Sequence, residues 1–292
     1  MFVYAAARAA LKRYFDDDGV VLLSGERLLT QIPAEMNPEW YFGLLKNYKL
    51  SPKTELVRGF QLPMHHRLVK KICGYRFCKT HQDVYRKAKR TAPFAQKFGV
   101  IACENGYIDM APNMPRRIYM DSFFQSERFF PGMNSVLAQE FSLVTPPGKE
   151  AAEMASVMRS TESVALAVRL GDYVNNPLHQ ICTPAYYQQA IDRICAYKPG
   201  CRIFLFSDDL PLARQLLKLP ADTVVEAPCA TPNESLWLMS QCRHFIISNS
   251  SFHWWAQYLS QSPEKIVLAP NRWFAQDVPC ALFQSNWELL ET

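Results

Sequence analysis

The run Ser163–Val168, SVALAV, holds six small or apolar residues and is followed at once by Arg169, Gly171 and Asp172. So short an uncharged run suits a strand covered on both faces, and the charges after it mark where the chain leaves the core. The pattern then repeats. Strand-like runs at Cys201–Asp209, Asp222–Ala227, His244–Ser248 and Lys265–Pro270 alternate with helix-like stretches at Thr183–Tyr197, Leu210–Leu219, Asn233–Cys242 and Ser250–Ser260. Thr183 followed by Pro184 reads as an N-cap and first helical residue, and Asn233 as the cap of its own helix. This alternation predicts an α/β fold with a parallel sheet whose functional loops gather at the carboxyl ends of the strands.

Upstream the pattern is helical and irregular. Met1–Phe15 has apolar residues at helical spacing, Asp16–Gly19 reads as a turn, Val20–Leu23 as a short apolar run, and Glu127–Phe141 as a loop leading into an amphipathic helix around Met133–Phe141. Pro146, Pro147 and Gly148 can neither continue a helix nor join a sheet ladder. They divide the chain into an N-terminal domain, 1–147, and a C-terminal domain, 148–292; 292 residues, 49% of them apolar, are enough for two medium cores. No uncharged apolar run of about 18 residues is present, and the N-terminus lacks the order of a secretory signal, so a cytoplasmic location is expected. Nine scattered cysteines without a Cys-x-x-Cys pair point to reduced thiols, and neither they nor the six histidines have the spacing of a metal site.

Charge is uneven. Between Lys53 and Lys97 there are twelve Lys or Arg against Glu55 and Asp83, so this segment is +10 in a chain of net +5. Solvated helix faces are the plain account. The sharper readings are a peripheral contact with anionic headgroups, which would place the protein at the inner membrane surface, or a contact with nucleic acid. No signature of spaced aromatics favours nucleic acid.

The predicted sheet edge brings three loops together: Arg169–Tyr173, Ser207–Asp209 and Ser248–Ser251. Ser250 and Ser251 open a helix, where free N–H groups and the helix dipole favour a phosphate. Arg169 offers a planar fork to phosphate oxygens, and Gly171 removes bulk where a ligand approaches. Asp172, Asp208 and Asp209 are placed to orient the arginine, bind sugar hydroxyls or accept a proton. The plainer alternatives are N-capping for the serines, an ion pair for Arg169 with Asp172, and a turn with a helix cap for Asp208 with Asp209. Trp254 and Trp255, adjacent on a helix, are expected in the core, and the loop Pro270–Phe274 is a candidate acceptor contact.

In order, AVRLGDY at 167–173, FLFSDD at 204–209, LMSQCRHFIISNSSFHWWAQYL at 238–259 and APNRWF at 269–274 resemble the α-1,2-fucosyltransferases that use GDP-fucose. SFFQSERFF at 122–130 and the first helix resemble that family too. The resemblance implies a GT-B architecture, two Rossmann-like domains facing a cleft. It implies metal-independent, inverting transfer of L-fucose from GDP-fucose, a donor substrate rather than a cofactor, to the 2-hydroxyl of a terminal galactoside. Its implied catalytic residues are Arg169, Asp172 and Asp208, and its donor-binding residues Arg169, Gly171, Glu234, Ser235, Asn249, Ser250 and Ser251; it names no general base. Where the family reads His-x-Arg-Arg-Gly-Asp, this chain has Ala167 for the histidine and Leu170 for the second arginine. Ser235 replaces an aspartate, and Glu234 is the neighbouring carboxylate available for guanine. The family's first strand and Gly-Gly-x-Gly-Asn-Gln loop are not found before Met1, so the N-terminal domain is expected to be incomplete. A relative with weak or lost turnover that binds glycan or a partner, or a transferase for another nucleotide sugar, is the alternative.

Overall fold

A computed structural model describes residues 1–24, 45–57, 61–74, 78–219, 224–226 and 231–292. Two compact units result, Met1–Met133 with Asp277–Phe283, and Asn134–Gln276 with Gln284–Thr292. The second unit thus takes in a helix upstream of Pro146.

In the first unit, α1 (Phe2–Phe15) buries Phe2, Tyr4, Ala5, Ala6, Ala10 and Leu11. It ends at Asp16, whose left-handed φ of 48° begins the expected turn. Arg8, buried on the inner face, is neutralised by Asp17 at 2.8 Å. Strand β1 (Val21–Ser24) pairs in parallel with β2 (Thr54–Val57), and β3 (Val100–Cys103) with β4 (Tyr119–Ser122). Two helices, α2 (Met64–Cys73) and α3 (His81–Lys97), carry much of the basic segment; Arg58 and Arg76 lie outside the described residues. Thr80 opens α3 with a reciprocal capping box to Asp83.

The second unit begins with α4 (Asn134–Glu140) and α5 (Lys149–Ser160). Strands β5 (Ser163–Val168), β6 (Arg202–Ser207), β7 (Val224–Glu226), β8 (His244–Ile246), β9 (Val267–Pro270) and β10 (Glu288–Leu290) form one six-stranded sheet. Every pairing is parallel, and the order is β7-β6-β5-β8-β9-β10. All six residues of β5 are buried, as the apolar run requires of a central strand. The crossovers are α6 (Pro184–Tyr197), α7 (Leu210–Leu216), α8 (Pro232–Met239) and α9 (Ser251–Leu259). Among the described residues no helix is long and apolar enough to cross a membrane.

Three local expectations change. The cap of α8 is Thr231, whose Oγ1 accepts from Glu234 N at 3.2 Å, and Asn233 is buried inside the helix. The reason is the Thr-Pro pair at 231–232, which repeats the start of α6 and sets the helix two residues earlier. The strand expected over Asp222–Ala227 is seen at Val224–Glu226, with its flanks outside the described residues. The edge strand β10 has no long apolar run to announce it and adds to β9 through Leu290↔Pro270.

Candidate functional site

The strand order gives the site its place. From β5 the chain winds outward through β6 to β7, then returns to β8 on the other side of β5 and winds away through β9 to β10. The loops after β5 and β8 therefore diverge, leaving a crevice at their carboxyl ends, the switch point where doubly wound sheets receive ligands.

Arg169 leaves β5 at this point. Its Nε and Nη2 donate to Asp172 Oδ1 at 3.0 and 2.6 Å, and its Nη1 lies 3.2 Å from Asp208 Oδ2 at the end of β6. Asp208 Oδ1 accepts from the backbone N–H of Leu170 at 2.9 Å. One carboxylate from the neighbouring strand thus fixes both the arginine and the turn after it. The Arg169 side chain stays one-third exposed, with its guanidinium 5.4 Å from the centre of the Tyr173 ring.

Gly171 is required here by the protein itself. A Cβ at this position would lie 2.3 Å from Asp208 Oδ2, so the missing side chain makes room for that carboxylate rather than for a ligand. Asp209 accepts from Leu212 N at 3.0 Å and caps α7, the plainer of its two readings.

The loop after β8 is tied into the unit by Asn249, which is buried. Its Nδ2 donates to the carbonyls of His179 at 3.0 Å and Trp273 at 2.9 Å, so its side chain holds three loops together. Tyr173 donates its hydroxyl to Asn249 O at 3.4 Å, and its ring stacks on His179 at 4.8 Å. Burial pushes the Tyr173 hydroxyl up to about 12, against the opposing charge of Arg169. Ser250 is the N-cap of α9, its Oγ accepting from Phe252 N at 3.3 Å, while Ser251 is exposed on the first turn. Trp254 and Trp255 are both in the core.

Ser248 and His253 complete the arrangement, with Ser248 Oγ 2.8 Å from His253 Nδ1. Burial, with the positive charge of Arg169 adding to it, lowers the His253 pKa to about 3, so the imidazole is neutral. Nothing in the sequence isolates this pair, because its members straddle a strand end and a helix start, where a spacing of five has no periodic meaning.

Glu234 and Ser235 stand in the first turn of α8. Glu234 is 7% exposed, and its Oε1 accepts from Gly148 N at 2.7 Å. A glycine cap offers α5 no side chain, and this carboxylate secures the turn in front of it. One oxygen of the carboxylate proposed for guanine therefore already serves the protein. Ser235 is half-buried in the first turn of α8. Ala167 is wholly buried in β5, and Leu170 belongs to the core cluster. Among the described residues no group of three or more His, Cys, Asp or Glu is arranged to hold a metal ion.

The model of glycosyl transferase family 11 matches residues 112–291, more than half of the chain and all of the switch-point residues. The chain belongs to glycosyl transferase family 11. Relatives include an α-1,2-colitosyltransferase from Escherichia coli, 32% identical over 53% of this chain and 56% of its own. Another is the O-antigen biosynthesis glycosyltransferase WbnK from Escherichia coli, 30% identical over 45% of each. A galactoside 2-α-L-fucosyltransferase from Caenorhabditis elegans is 24% identical over 49% of this chain and 43% of its own. This chain spans about half the length of the curated relatives it matches. Among solved structures, E. coli ADP-heptose LPS heptosyltransferase II aligns with a TM-score of 0.40 and 13% identity, covering 99% of this chain and 86% of that one. Fucosyltransferase NodZ from Bradyrhizobium aligns with a TM-score of 0.33 and 12% identity, covering 63% and 60%.

Proposed function

We propose that this family 11 chain is an inverting, metal-independent galactoside α-1,2-fucosyltransferase of GT-B type that takes GDP-fucose as donor. One observation carries the reading: a partly exposed arginine, held in place by Asp208, stands at the switch point of a doubly wound sheet, its guanidinium 5.4 Å from the ring of Tyr173, whose hydroxyl reaches the Asn249 carbonyl 3.4 Å away in the loop before α9. Arg169 would meet the diphosphate through the edge of its guanidinium, and the N–H groups at the start of α9, with the Ser250 and Ser251 hydroxyls, would supply further donors. In the reaction, the acceptor oxygen forms a bond to the anomeric carbon of fucose as the bond to the β-phosphate oxygen breaks. GDP leaves with the electron pair, and the acceptor hydroxyl gives up its proton to a base. Charge grows on the leaving diphosphate, where a preorganised cation lowers the barrier most.

A second donor is favoured by one observation, the match to an α-1,2-colitosyltransferase, which extends over more of the chain than those to the fucosyltransferases. Colitosyl transfer would use the same diphosphate contacts and differ only at the sugar. Calorimetric titration of the chain with GDP, UDP and GDP-fucose, followed by transfer assays to lactose, tests both. Binding of GDP with fucose transfer supports the first reading, and GDP binding with transfer only from a colitosyl donor supports the second. Failure to bind any nucleotide refutes the site and favours a relative without turnover.

A further inference from the structure

Helix α2 in the first unit buries one face and leaves an apolar one outside. His66, Val69 and Cys73 turn inward; Val69 and Cys73 pack with Ala95 and Val100, and His66 stacks on Tyr119 at 6.2 Å. Outward point Met64, Leu68 and Ile72, which are 80%, 57% and 55% exposed. Their spacing of four places them in one row along the helix. The adjoining row carries Arg67 and Lys71, both exposed and neither with a side-chain ion-pair or hydrogen-bond partner among the described residues. Lys70 differs, being committed to Asp121 at 2.5 Å and to the Tyr119 hydroxyl at 3.2 Å. A helix that serves only its own core presents polar residues to water. This one presents an apolar row with a cationic border.

We propose that the outer face of α2 seats on an anionic lipid surface, with Met64, Leu68 and Ile72 at the boundary between headgroups and acyl chains and Arg67 and Lys71 on the headgroup phosphates. Charge complementarity selects this occupant. The segment around the helix is +10, which draws it to a negative surface, and an apolar row beside lysine and arginine is the pattern of helices that lie in the membrane interface. A second copy of the chain is disfavoured, because a two-fold contact through this patch would bring Arg67 and Lys71 against the same charges on the other copy.

The test is co-sedimentation of the full chain with vesicles of phosphatidylcholine alone and of phosphatidylcholine with phosphatidylglycerol, at low and at high salt. Binding is expected to the phosphatidylglycerol vesicles and to fall with salt. Arg67→Gln and Lys71→Gln should each weaken it about fivefold. Leu68→Ser with Ile72→Ser should weaken it about tenfold or more, since buried aliphatic side chains carry the insertion. All four positions are exposed, so melting curves should stay unchanged, and Met64→Ser serves as a further probe if the double variant melts early. Equal binding to both vesicle types, no binding to either, or full binding by every apolar-row variant overturns the proposal. Light scattering that shows a dimer dissolved by the Leu68 and Ile72 substitutions would instead assign the face to a second copy.

Discussion

Replacing Gly171 by alanine is the sharpest probe of the site, because the structure states what the methyl group meets. It would lie 2.3 Å from Asp208 Oδ2 and 3.3 Å from Asp208 Cγ, about 1 Å inside ordinary contact at the oxygen. Gly171 has no left-handed backbone angle, so alanine gains about 0.4–1 kcal/mol from a stiffer unfolded chain. Against that gain, Asp208 cannot retreat without loosening both the Leu170 N–H and Arg169. Losing a hydrogen bond to a charged group costs about 1.5–3 kcal/mol, so the net destabilisation should be about 1–2 kcal/mol. Urea unfolding followed by tryptophan fluorescence measures it in the relevant unit, since Trp237, Trp254, Trp255, Trp273 and Trp287 all belong there. The decisive comparison is the same substitution in an Asp208→Ala background. With the carboxylate gone, the methyl has nothing to displace, and Gly171→Ala should become neutral or slightly stabilising. Additive costs in the double variant, within about 0.5 kcal/mol, would refute the claim that this glycine exists to admit Asp208.

Three further outcomes are expected. Arg169→Ala should weaken GDP binding about tenfold or more in calorimetry, with only partial recovery in Arg169→Lys, because an ammonium does not reproduce the fork; unchanged affinity removes Arg169 from the diphosphate site. His253 is held near pKa 3 when folded and returns to about 6.5 when unfolded, so the unfolded state binds the extra proton and stability falls as pH drops below 6.5, by about 2 kcal/mol at pH 5. Melting of His253→Gln between pH 7 and pH 5 should show a correspondingly flatter decline, and a slope equal to that of the parent contradicts the assignment. Transfer activity should survive excess EDTA, since Asp208 and Asp209 are engaged with Arg169, Leu170 N–H and the start of α7; loss on chelation with recovery on adding Mn²⁺ would show a metal role.

Much of the second unit could be read from sequence because its strands are central and parallel. A strand buried on both faces, such as Ser163–Val168, must be apolar throughout, and the residue that ends the run is a boundary marker. The same logic placed Arg169, Asp208 and Ser250 at one sheet edge. It could not assign their partners, since contacts between loops after different strands leave no periodic trace. Gly171 is the clearest example: the need for a small residue was legible, yet the group needing the space was the carboxylate 37 positions on. Glu234 shows the reverse. A carboxylate in a first helical turn resembles a ligand donor, and nothing in the sequence signals that one of its oxygens serves the bare cap at Gly148. In the first unit the excess of charge between Lys53 and Lys97 was plain, whereas the apolar row of α2 becomes meaningful only once His66, Val69 and Cys73 are known to face inward.

On the proposed reading, the two carboxylates around Arg169 have unequal fates when a diphosphate arrives. Arg169, Asp172 and Asp208 together carry one net negative charge, which repels an anion unless a carboxylate yields. Asp172 is the weaker holder: its side chain is 68% exposed, and exposed pairs contribute only about 0–1 kcal/mol. Asp208 is 24% exposed and also accepts from Leu170 N, so its release costs a second bond and disturbs the turn. A phosphate oxygen would therefore replace Asp172 on the Nε and Nη2 edge of the guanidinium, while Asp208 would keep Nη1 and hold the arginine in line. The displaced Asp172 would stay tethered three residues away. On this reading the two acidic residues would divide the work, one positioning the arginine and the other exchanging with substrate.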